Sequence, residues 1–202
     1  MRTAIWFSAA ALIGCTHPQA VRGPAPEAAA TPGVRPTADD SVSRAPLAEG
    51  QEVRIEGQRY VDPRLDFEIS RPAGDWLFTP GQPLTEGIAV PVIVAHPQSG
   101  AQVVVQIAPA VASPGELAMR LEHGLRARPG FSPGAPAPLE GTDDGVGFPF
   151  TMGDAVTGRV AILSGTGRVF VLLATWPTAS PPAIVRGVNA IVHSLKTTLP
   201  KG

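Results

Sequence analysis

The sequence predicts an α+β fold, a mainly antiparallel β-sheet flanked by helices. Two observations carry that expectation. Segments of strand character come in runs between Val53 and Leu199, and one amphipathic helical segment closes each run, so strands-then-helix occurs twice. No repeat of fixed short period runs through the chain, which argues against a repeat architecture.

The elements follow in order. Val53, Ile55 and Tyr60 mark a first strand with a turn around Gly57. Leu65, Phe67 and Ile69 alternate with Asp66, Glu68 and Ser70, the period-two pattern of a half-buried strand. Asp75-Trp76-Leu77-Phe78 follows a Pro-Ala-Gly turn as a short strand. The segments 87–96 and 101–109 are rich in β-branched residues, with a turn from Pro97 to Gly100 between them. A helix is then predicted from Ser113. Ser113 stands as N-cap, Pro114 at the first position and Glu116 three residues after the cap, a capping box. Leu117, Leu121 and Leu125 share one face, and Gly130 follows the end.

The second half repeats this order. Segments 146–152, 157–165 and 168–176 are strand candidates, the last two joined by a tight hairpin at Gly165-Thr166-Gly167. Leu139 to Thr142 adds another candidate. A closing helix is predicted with Ser180 as N-cap and Pro181 at the first position. Its stripe is Ile184, Val185, Val188, Ile191, Val192 and Leu195, expected to pack on Val169, Val171 and Leu173 of the preceding strand.

Ahead of these elements the chain has a different character. Ala4 to Ile13 is an uncharged apolar run preceded by Arg2, too short to span a bilayer and laid out as a secretory signal peptide. Leu12-Ile13-Gly14-Cys15 resembles the lipobox of bacterial lipoproteins. The resemblance implies that the Cys15 thiol receives a diacylglyceryl group and that cleavage before it makes Cys15 the first mature residue. Two acyl chains, at about 0.8 kcal/mol per buried methylene, suffice for stable anchoring where one does not. From Thr16 to Gly50 the chain is rich in Pro and Ala and has no aromatic residue, the composition of a disordered, semi-stiff tether. The expected organisation is thus a signal peptide over 1–14, lipidated Cys and tether over 15–50, and one folded domain over 51–202.

The folded part also has a family likeness. Phe67 and Ile69 ahead of Pro72, Gly74 and Trp76, then strands, a helix, a Gly-hinged hairpin and a final helix, resemble the PsbP-like fold of PsbP, Mog, DcrB and LpqN type. The resemblance covers roughly Tyr60 to Lys196, with Asp75 inserted between the glycine and the tryptophan of the signature. It implies an α/β/α sandwich, in a family whose members mostly act as binding or assembly factors.

Little in the sequence points to catalysis. The formal net charge is −1 with both signs interspersed, which argues against a nucleic-acid surface. His17, His96, His123 and His193 lie in unrelated elements without the spacing of a zinc site. The glycine pairs at 145–147 and 165–167 run into strands, so no helix N-terminus follows to hold a phosphate. Asp143-Asp144-Gly145 lacks the alternating ligands of a calcium loop. No catalytic residue, metal site or cofactor is expected. Cys15 is the lipidation site, and Phe131, in the Pro/Gly-rich stretch Arg126 to Pro138, is the candidate partner contact. The expected function is a lipid-anchored, noncatalytic binding or assembly module of the cell envelope, whose partners are the membrane, through Cys15, and another envelope protein. Thr16 after the cysteine favours the outer membrane over the inner. The alternatives are a carrier of a small hydrophobic ligand and an enzyme without recognisable motifs.

Overall fold

The computed structural model describes residues 52–82 and 87–197. In chain order the elements are β1 (Arg54–Glu56), β2 (Arg59–Asp62), β3 (Phe67–Ser70), β4 (Leu77–Pro80), β5 (Ala89–His96), β6 (Ala101–Pro109) and α1 (Pro114–Arg126). The second half holds β7 (Phe131–Pro133), β8 (Ala137–Pro138), β9 (Val146–Met152), β10 (Val156–Gly165), β11 (Arg168–Pro177), α2 (Pro182–His193) and β12 (Lys196–Thr197). The fold is α+β and its strand pairs are antiparallel, as the sequence predicts.

The strands form two sheets where the sequence suggests one. A large sheet runs β4-β5-β6-β11-β10-β9-β7, with β8 also on β9, and a small one runs β1-β2-β3-β12. The physical reason lies in the patterns. On β3, buried Phe67 and Ile69 alternate with half-buried Glu68 and Ser70, so this strand turns one face to water. By contrast β10 and β11 are apolar on both faces and need cover on each. The layers therefore run α1, large sheet, then α2 beside the small sheet.

Two apolar clusters follow. One joins Val92, Val94, Val103, Val105, Phe170 and Leu172 of the large sheet to Val188, Ile191 and Val192 of α2 and to Tyr60, Phe67 and Ile69 of the small sheet. The other lies under α1, where Ala118 and Leu125 meet Phe148, Phe150, Val160, Ile162 and Val171. Residues Val171 and Leu173 thus face α1, and Phe170, Leu172 and Ala174 face the α2 side. This reverses the expected pairing of Val171 and Leu173 with the closing helix. A strand apolar on both faces tells nothing about which helix covers which.

The helix starts differ in kind. For α1 the capping box forms: Ser113 Oγ accepts from the Glu116 amide at 3.3 Å, and the Glu116 carboxylate accepts from the Ser113 amide at 3.0 Å. The bond from the Ser113 amide, and then one that the Ser113 hydroxyl donates to the same carboxylate at 3.0 Å, hold the Glu116 carboxyl below its usual range. For α2, Ser180 is not the cap. Pro181 occupies that place with φ −56° and ψ 147°, and no side chain caps the helix. Steric clash with the ring of Pro182 keeps Pro181 extended, so the helix begins one residue later than expected.

Two other expectations change. The stretch from Arg126 to Pro138 carries β7 and β8, which pair with β9. Leu139 to Thr142 is a turn, in which Thr142 Oγ1 donates to the Leu139 carbonyl at 3.0 Å and accepts from the Gly145 amide at 3.1 Å.

Trp76 explains a glycine inside α2. Its ring is buried, and a Cβ at Gly187 would sit 2.8 Å from Trp76 Cζ2. Ala would favour the helix by about 1 kcal/mol. Overpacking a core costs about 1–3 kcal/mol, so the clash outweighs that gain. Gly187→Ala is expected to lower the unfolding midpoint and to shift the emission of Trp76, read by thermal unfolding and fluorescence. On the same helix, Ile191 is 0% exposed and Arg186 is exposed. Ile191→Ala should cost about 2–5 kcal/mol in denaturant unfolding, and Arg186→Ala no more than about 0.5 kcal/mol.

Candidate functional site

Cys15, with the expected signal peptide and tether, lies outside the described residues. Phe131 is half-buried at the start of β7, its ring 6.0 Å from that of Phe150 and packed on the cluster under α1. Part of its surface is engaged in this packing and part is left open. His96 sets its ring edge-on to Trp76 at 5.2 Å, and His193 Nδ1 lies 2.7 Å from the Asn189 carbonyl. Asp143 and Asp144 are exposed in their turn. Among the described residues no group of three or more His, Cys, Asp or Glu could hold a metal, and no helix is long and apolar enough to cross a membrane.

The most distinctive surface is on the large sheet. The cluster under α1 draws on β9, β10 and β11 and takes nothing from β4, β5 or β6. On that same face the register places Leu77, Ala95, Gln102 and Thr175 in one row across four strands, and Thr79, Ile93, Val104 and Leu173 in the next. Leu77 is 52% exposed; Ile93, Ala95, Gln102 and Thr175 are half-buried. The other faces of these strands carry Val92, Val94, Val103 and Val105 into the core, so alternation alone puts the mixed rows outward.

Beyond the second row sits Gln106, 3% exposed and paired across from Val171. Its amide nitrogen is buried without a hydrogen-bond partner. Leaving a donor so buried costs roughly 1–3 kcal/mol. Sequence reading passed over Gln102 and Gln106. The signal was there, since both interrupt the apolar run 101–109 and, four residues apart on a strand, share one face.

The small sheet presents the opposite chemistry. Its outer face carries Arg54, Glu56, Arg59, Glu68 and Lys196. Glu68, at the centre, accepts from Lys196 Nζ at 2.9 Å and from Arg59. Those bonds, Lys196's first, hold its carboxyl below the usual range. This is a solvated ladder of paired charges. Beneath it, Tyr60 lies among Phe67 and Phe78, with ring centroids 5.7 and 5.8 Å away, and donates to the Pro91 carbonyl at 3.3 Å.

No protein-family model matches the chain, and no curated protein matches it in sequence. Among solved structures it is similar to the cyanobacterial PsbP, CyanoP, of Synechocystis, at a TM-score of 0.52 and 9% identity over 78% of this chain and 99% of that one. It is similar to LpqN of Mycobacterium tuberculosis, a protein involved in cell envelope biogenesis, at 0.46 and 17% identity, covering 65% and 83% of the two chains. A protein from Bacteroides thetaiotaomicron matches at 0.42 and 14% identity, over 73% of this chain and 51% of that one. The fold is PsbP-like, as the sequence motifs imply.

Tyr60 is the chain's single tyrosine, so its ionisation can be followed without interference. Burial, then the charge of Asp62, pushes its phenol up to about 12. Phenolate absorbance should therefore rise near pH 12 in the folded protein, against about 10 for the unfolded chain. The sign follows by linkage. The contribution of this group to stability is whole below pH 10 and is lost as pH climbs towards 12. A transition at the ordinary value in the folded state would show that the ring is open to water.

Proposed function

We propose that this chain is a noncatalytic binding or assembly module of the bacterial cell envelope, anchored by a lipidated Cys15 and engaging another envelope protein. The outer membrane is the favoured site, because Thr16 follows the cysteine. The observation that carries the binding role is the row Leu77, Ala95, Gln102 and Thr175. It is a sheet face on which exposed Leu77 and half-buried Ala95 adjoin the half-buried polar side chains of Gln102 and Thr175. Such a surface suits a protein partner, which supplies apolar area and a hydrogen-bond acceptor together.

Two experiments test the two halves of this reading. Cys15→Ser should move the protein from the membrane to the soluble fraction while leaving its thermal midpoint unchanged. A membrane-bound variant would refute the lipid anchor. For the partner, a photoreactive residue at Ala95 in the lipidated protein in cells should give a discrete adduct with one envelope protein. The same probe at Val61, on the charged face of the small sheet, should not. Equal labelling from both positions would remove the large-sheet face as the docking surface.

A further inference from the structure

The small sheet ends at β1, and among the described residues no strand lies on its free side. The hairpin closes with Glu56 opposite Arg59 across Gly57 and Gln58, with Gly57 at φ 60°. In such a two-residue hairpin the closing pair is hydrogen-bonded, and the ladder then alternates. The amides and carbonyls of Arg54 and Glu56 therefore point to β2. Those of Ile55 point outward, unpaired among the described residues. The side chain of Ile55 is 59% exposed and that of Val53 36% exposed, while Arg54 and Glu56 flank Ile55 with opposite charges.

We propose that β1 pairs antiparallel with β1 of a second copy about a twofold axis at Ile55, joining two four-stranded sheets into one of eight. Charge selects this register. An axis at Arg54 would set arginine against arginine, and one at Glu56 would set glutamate against glutamate, which is destabilising in a directly opposed pair. The axis at Ile55 sets Arg54 against Glu56 of the partner subunit, and the twofold repeats that contact in reverse. It also joins the outward amide and carbonyl of Ile55 to their counterparts in a hydrogen-bonded pair. The two Ile55 side chains then lie side by side across the axis. Three residues from each copy make an interface well under the size of a stable standalone dimer, so the association is weak and reversible in solution.

A site-specific crosslink tests this on the full chain. Cys15→Ser removes the only cysteine, and Ile55→Cys then places one at the axis. Cα atoms of a hydrogen-bonded antiparallel pair are about 5.5 Å apart, within disulfide reach. Under mild oxidation this variant should form dimers at least about tenfold faster than one carrying Gln58→Cys, equally exposed in the same hairpin but off the axis. Adding Arg54→Glu should bring the rate down to that of Gln58→Cys, and adding Glu56→Arg as well should restore it. Thermal unfolding confirms that each variant is folded. Equal rates at positions 55 and 58 would overturn the proposal. So would slow crosslinking at both, as expected if residues ahead of Glu52 cover the edge, or a failure of the double charge reversal to restore the rate.

Discussion

Strands β10 and β11 are apolar on both faces, and the rest of the molecule is arranged by the need to cover both. One helix cannot serve two faces, so the chain sets α1 on one side and α2 on the other. The area beside α2 is filled by a second, smaller sheet. That sheet has only one apolar face, carrying Tyr60, Phe67 and Ile69, and its outer face is free to be charged. The close approach of Trp76 to Gly187 and the burial of Phe170 against Phe67, with centroids 5.6 Å apart, are both consequences of this closure.

Much of this was legible in the residues. The alternation in Leu65 to Ser70 announced a strand with one wet face, and the apolar runs of β10 and β11 announced strands without one. The capping box of α1 was readable because it is local, three residues from end to end. What stayed hidden depended on contacts far apart in sequence. Nothing in the run from Arg168 to Pro177 says whether Phe170 or Val171 meets α2, because both sides are equally apolar. The start of α2 was misplaced because a serine before two prolines has the composition of a cap without the geometry. Phe131 looked isolated in a Pro/Gly stretch, but its partner Phe150 lies across a strand pairing that no local pattern reveals.

The candidate binding face shows the same division. Its two glutamines were visible as interruptions in an apolar run. That they matter follows only from knowing that α1 stops short of β6 and that the Gln106 amide finds no partner. A binding surface of this sort has no sequence motif. It is defined by what the neighbouring layer leaves uncovered, whereas a capping box is local and is written in four consecutive residues. Local motifs and sheet faces are therefore unequally legible for a physical reason.

The small sheet is closed by the last described strand. Ser194 Oγ accepts from the Ser70 amide at 2.9 Å and lies 3.0 Å from the Ser70 carbonyl, a bond spanning 124 residues. Glu68 likewise waits for Lys196. Thr197 Oγ1 then ties β12 to the carbonyl of Ser164 at 3.2 Å, locking the small sheet onto the large one. A chain emerging from a ribosome N-terminus first thus holds its opening hairpin without its closing neighbour until Lys196 and Thr197 are free. Contacts of such long sequence separation form late. The topology delays completion of the small sheet, leaving the β12 side of β3 open until then.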